Sequence, residues 1–191
     1  MQRKKIRTRR LVLRPLVKAD YATWLDAETR GPSSRFEPAP RSLKQSTRAA
    51  FDKTRARHDR RAREDAVYVF GVFSNRGRVL VGMVDIAILY RGQLQLGNLG
   101  YRVFHAHRRR GYAKEAVLAV IHAAFKALKL NRLEAVMDLP NRPSQKLARA
   151  LGMARECVRR KYYFEDGRFH DQVVWSAQRE DFGHAPLVLR S

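Results

Sequence analysis

The chain has 191 residues, 45% of them hydrophobic, which suits one domain with a sizeable core. Lys and Arg total 40 against 18 Asp and Glu, a formal net charge of +22 spread over both halves; such an excess favours nucleic acid, anionic membrane or phosphorylated ligands. Cys157 is the sole cysteine, which excludes an internal disulfide, and no run reaches the ~20 apolar residues of a membrane helix.

The basic start Met1-Gln2-Arg3-Lys4-Lys5-Ile6 leads into no apolar run that could serve as a signal peptide. A soluble cytoplasmic protein is the expectation, with a single domain over 1–191. Leu11 to Leu16 alternates and stops at Pro15, a first strand. Asp20 to Glu28 reads as a short helix with Tyr21, Trp24 and Leu25 on one face. Gly31-Pro32-Ser33-Ser34 and Pro38-Ala39-Pro40 punctuate a loop. Ser42 or Ser46 is placed to cap a second helix running to about Arg63. Its apolar face is thin: Ala49, Ala50 and Phe51. Its end carries Arg55, Arg57, Arg60, Arg61 and Arg63, either a solvated face or a contact with RNA or an acidic substrate.

Val67 to Phe73 reads as a buried strand and Asn75-Arg76-Gly77 as a turn. Val79 to Ile88 is the next strand, and Leu94 to Phe104 pairs with it. After Arg108-Arg109-Arg110-Gly111 a long helix runs from Tyr112 to Leu128, with Ala113, Ala116, Val117, Val120, Ile121, Ala124 and Leu128 as its apolar stripe. Leu133 to Met137 is a further strand. Ser144 to Leu151 is a short helix ended by Gly152, with Ser144 as a natural cap. Two final strands flank Glu165-Asp166-Gly167. This order argues a mixed α/β layer.

The most informative stretch is Arg108 to Ala113. A strand, a glycine loop and a helix start make an anion site. The first N–H groups of a helix lack intrahelical partners and carry the positive end of the macrodipole. Small residues at Gly111, Ala113 and Ala116 permit close approach, and three arginines add charge. A phosphate or pyrophosphate suits this stretch; the plainer alternative is a helix that starts after a solvated basic turn. His105, His107 and His170 suggest no three-ligand metal cluster, and no histidine is paired with Cys157. No metal is expected.

Arg108-x-x-Gly111-x-Ala113, after a strand ending Gly100-Tyr101-x-Val103-Phe104, resembles the acetyl-CoA-binding motif of the GNAT N-acetyltransferases. Asn141-x-x-Ser144, Leu147 and Leu151-Gly152-Met153 resemble the family's Asn-x-x-Ser…Leu-Gly-Phe segment. Arg10 to Leu16 resembles its first strand, Asp166 to Val173 its closing hairpin, and Arg179 to Phe182 its usual C-terminus. The resemblance is strongest to the branch that acetylates N-termini of ribosomal proteins.

The resemblance implies an α/β fold: a mixed central sheet of about seven strands flanked by about four helices, splayed between the fourth and fifth strands. It implies direct acetyl transfer from acetyl-CoA to a primary amine, with a protein N-terminus favoured. Small polycationic amines fit a +22 chain less well. Arg108, Arg109, Arg110, Gly111, Tyr112 and Ala113 would hold the pyrophosphate. Val103 and Phe104 would run beside the pantetheine arm through main-chain groups, and one of their N–H groups would meet the oxyanion. Asn141 would support the arm, and Ser144 would protonate the leaving thiolate. Tyr101, Tyr162 and Tyr163 are other acids by type. Asp85, Asp138, Glu134 and Glu156 are possible bases by type, with Glu156 on the strand where some relatives carry a glutamate. An α-amine with a pKa of about 7.7–8.0 needs no strong base. A ribosome or RNA contact through the basic surface remains open, as does monomer or homodimer. A non-catalytic ribosome-associated module is the rival of a different class.

Overall fold

The computed structural model describes residues 5–30, 36, 40–74 and 78–187. The loop signals at Gly31 to Ser34 and at Pro38 and Ala39, the turn at Asn75 to Gly77, and the basic Arg3 and Lys4 lie outside the described residues. The chain forms two compact units, Met1–Ala87 with Gly100–Val120, and Ile88–Leu99 with Ile121–Ser191.

The first unit holds β1 (Ile6–Arg7), β2 (Leu11–Arg14), α1 (Tyr21–Thr29), α2 (Arg48–Arg63) and β3 (Val67–Ser74), most of β4 (Leu80–Tyr90), the end of β5 (Leu96–Val103) and the start of α3 (Tyr112–Ala127). Its strands pair antiparallel in the order β1-β2-β3-β4. β2 stops before Pro15, which has no N–H to continue a ladder. Buried Leu16, Trp24, Phe51, Phe73, Leu80 and Phe104 form one core cluster, with Tyr21, Leu25 and Met83 packed against it. The thin apolar face of α2 suffices because Phe51 is fully buried, its ring 5.1 Å from that of Trp24. The cap of α2 is Thr47, whose hydroxyl accepts the Ala50 N–H at 3.2 Å. Ser42 instead caps a separate 3-10 turn, Leu43–Gln45.

The second unit holds the rest of those shared elements together with β6 (Arg132–Asp138), α4 (Arg142–Ala150), β7 (Ala154–Glu165) and β8 (Arg168–Gln178). The order is β5-β6-β8-β7, with β5 and β6 parallel and the other pairs antiparallel. The β5–β6 register runs only from Leu96↔Arg132 to Asn98↔Glu134, although both strands continue. This early end of pairing is the expected splay. In chain order it falls between the fifth and sixth strands, because β1 adds an eighth strand. The buried stripe of α3 is the one its periodicity outlined: Ala116, Val117, Val120, Ile121 and Ala124 are at most 1% exposed. Arg179 donates to the carbonyls of Phe125 and Leu130, which satisfies acceptors at and beyond the helix end.

Candidate functional site

In the first unit, β5 delivers the chain to the arginine loop. The Phe104 N–H donates to the Val81 carbonyl at 3.0 Å, so the oxyanion role expected of Phe104 is not open to it. The Val103 carbonyl accepts from the Arg108 guanidinium at 3.2 Å, which ties the loop back to its own strand. A 3-10 turn, His105–His107, follows, and the Arg108 N–H closes on the His105 carbonyl.

The loop then takes an unusual backbone. Arg109 has φ +58° and Gly111 φ +75°, both left-handed. Left-handed residues interspersed in such a loop turn successive N–H groups to one side, a concavity that suits an anion. The Gly111 carbonyl accepts the Glu115 N–H, so the N–H groups of Tyr112, Ala113 and Lys114 have no acceptor within α3. Arg109 and Arg110 are exposed and Arg108 is half-buried. The donor set fits a pyrophosphate: main-chain N–H groups at a helix start, with guanidinium groups beside them.

One feature of this loop was not legible in the sequence. The Glu115 carboxylate accepts from the Thr8 hydroxyl at 2.6 Å, the Arg10 N–H at 2.8 Å and the Arg10 guanidinium at 2.6 Å. The same guanidinium donates to the Arg110 carbonyl at 2.8 Å and lies 5.0 Å from the centre of the Tyr112 ring. The segment before β2 thus braces the loop at Arg110 and the first turn of α3. Burial alone would raise the Glu115 carboxyl; the hydrogen bonds from Thr8 and Arg10 outweigh it and hold the carboxyl below its ordinary value.

In the second unit, the Asn141 side-chain oxygen accepts the Ser144 N–H at 3.2 Å. Asn141 is therefore the cap, α4 begins at Arg142, and Ser144 sits in the first turn. This corrects the expectation that Ser144 caps the helix.

Three of the four carboxylates considered as bases are committed elsewhere. Glu156 is paired with Arg132 and accepts the Ser176 hydroxyl at 2.7 Å, which pulls its carboxyl down to about 2. It is a poor base at neutral pH. Glu134 is enclosed by Arg132 at 3.0 Å and Arg159 at 2.8 Å, and Asp138 accepts from Gln172. Arg159 of β7 belongs to the same charge network. Asp85 behaves differently. It is half-buried on β4 beside Gly100 of β5, where an added Cβ would lie 2.7 Å from its oxygen. Burial raises its carboxyl, with the Arg102 guanidinium opposing.

His122 and His184 lie 3.1 Å apart beside Phe125 and Phe182. Among the described residues no three His, Cys, Asp or Glu side chains converge as a metal site. No helix described is long and apolar enough to cross a membrane.

The Acetyltransferase (GNAT) domain model matches residues 10–154, which run through both units. The probable N-acetyltransferase YjcK of Bacillus subtilis is 32% identical over 124 residues, 65% of this chain and 68% of that one. The [ribosomal protein uS5]-alanine N-acetyltransferase of Escherichia coli is 23% identical over 120 residues, 63% and 62% of the two chains. The crystal structure of ribosomal-protein-S5-alanine acetyltransferase from Vibrio fischeri superposes with a TM-score of 0.80 at 22% identity, covering 94% of this chain and 98% of that one.

Proposed function

Because the chain belongs to the acetyltransferase (GNAT) family, whose members use acetyl-CoA, we propose that it acetylates the N-terminal α-amine of a protein, a ribosomal protein first. The observation that carries the cosubstrate is the loop of left-handed Arg109 and Gly111 opening α3. The acceptor rests on a relative named for the alanine of a ribosomal protein. The +22 charge also disfavours polycationic small amines as acceptors.

In this reading Arg108 to Ala113 hold the pyrophosphate. Val103 and Phe104 run beside the pantetheine arm, and Asn141 supports it. Phe104 contributes no N–H, for the reason given above. The amine attacks the thioester carbonyl directly, and the carbon–sulfur bond breaks with release of the thiolate. Ser144 donates the proton to that sulfur and is reprotonated from solvent, while the proton released by the amine passes to a base. Asp85 is the carboxylate whose chemistry suits a proton acceptor, since burial moves it towards neutral pH while Glu156 is moved away. The amine loses only one proton, and its own pKa of about 7.7–8.0 leaves a neutral fraction.

Ser144→Ala separates chemistry from structure. It should lower kcat roughly 10²–10⁴-fold, the range of a positioned acid. Acetyl-CoA affinity and melting temperature should stay near wild type, because Asn141 holds the cap. Asn141→Ala should instead cost about 0.5–2 kcal/mol in denaturant unfolding. A Ser144→Ala enzyme with wild-type kcat contradicts the acid role.

A further inference from the structure

The positive charge of α2 is unequally used. Arg55 turns into ion pairs with Asp52 and Asp59, at 3.8 and 3.5 Å, and is 20% exposed. Another part of the helix borders a groove of about 580 Å³ whose lining carries Arg41, Lys53, Arg57, Arg60 and Arg63. The other described lining residues are alanines and a threonine, and among the described residues none is acidic. Arg60 is shared with Glu64 at 3.7 Å and Arg41 with Glu28 at 3.8 Å. Lys53, Arg57 and Arg63 have no ion pair among the described residues.

We propose that this groove binds the phosphate backbone of single-stranded RNA. The spacing supports it. Lys53, Arg57, Arg60 and Arg63 recur every three or four residues, so they share one helix face. At about 1.5 Å per residue they span roughly 15 Å, long enough to follow a few consecutive phosphates of one strand. Arginine matches phosphate with two parallel N–H donors, and three of the four are arginines. The shape separates RNA from a lipid surface. The groove is concave, and among the described residues its lining offers no large apolar side chain to insert into a membrane. The inference narrows the basic run seen in the sequence: Arg55 is spent within the helix, and Lys53 and Arg41 join the site. It goes beyond the proposed acetyl transfer and rests on the groove alone.

The test is fluorescence anisotropy of a labelled short single-stranded RNA with the full chain over a salt series. Wild-type binding should weaken steeply with salt. The triple variant Lys53→Gln, Arg57→Gln, Arg63→Gln should flatten the slope of log K against log salt by about 2, at about 0.7 per phosphate contact. At low salt its affinity should fall at least about tenfold. Arg155→Gln, Arg160→Gln, Arg168→Gln removes the same charge from exposed sites on β7 and β8, and should change the slope by less than half as much. Equal effects of the two triples would overturn the proposal in favour of bulk charge. So would wild-type binding to phosphatidylserine vesicles without binding to RNA, or binding to neither. The acetyl-CoA-induced melting shift, read on each protein, serves as the folding control. Its absence in wild type would sink the acetyl-CoA reading while leaving the RNA result standing.

Discussion

Gly111→Val should remove the rise in melting temperature expected of the wild-type protein with acetyl-CoA. At a ligand concentration of 100 Kd the wild-type gain is about 2.7 kcal/mol. For a chain of this size that corresponds to roughly 5–10 °C. Gly111 stands at φ +75°, where a β-branched residue is strained by about 1–3 kcal/mol. Its Cβ would also lie 3.1 Å from the Arg10 guanidinium. Relief requires the loop to leave the left-handed conformation, and the N–H groups then turn away from the ligand. Gly111→Asn should retain part of the shift, because asparagine tolerates this backbone better. A full wild-type shift in Gly111→Val would place the pyrophosphate elsewhere.

Glu115→Ala should raise the KM for acetyl-CoA by at least about tenfold while kcat changes less than about threefold. The residue touches no proposed reacting atom. It acts by holding Thr8 and Arg10, and the Arg10 guanidinium in turn holds the Arg110 carbonyl and lies over the Tyr112 ring. Hydrogen bonds to a charged group are worth about 1.5–3 kcal/mol each, so the variant should also lose at least about 2 kcal/mol in urea unfolding. Glu115→Gln should fall between wild type and alanine. The acid limit has a defined sign. The folded carboxyl lies below its ordinary value of 4.5, so this stability is complete above about that pH and is lost as the pH falls through the lowered folded value. A loss of kcat with unchanged KM would contradict a positioning role.

The parts of the fold carried by local periodicity were legible. The stripe of α3 and the alternation of β2 sit within short windows of sequence, and burial obeyed them. The arginine loop was legible because a strand, a glycine and an apolar helix adjoin in the chain. What escaped was non-local or too small. β1 is two residues long and leaves no period. The brace between Arg10 and Glu115 joins residues about a hundred positions apart, and a glutamate in the first turns of a helix ordinarily reads as a dipole partner. Ser144 and Asn141 are both good capping types, so composition alone did not choose between them. Pro143 fits the first turn of a helix that starts at Arg142, which gives the cap to Asn141. Glu156 looked available as a base because Arg132, 24 residues earlier, is brought beside it only by the β6–β8–β7 pairing.

The most direct measurement is release of CoA thiol from acetyl-CoA across a panel of acceptors: peptides bearing ribosomal-protein N-termini, the same peptides with a blocked α-amine, and small polyamines. The account predicts release with free N-terminal peptides, one acetyl group found on the α-amine, and none with blocked peptides. Turnover confined to polyamines, or no turnover with any acceptor by a protein that binds acetyl-CoA, would contradict it.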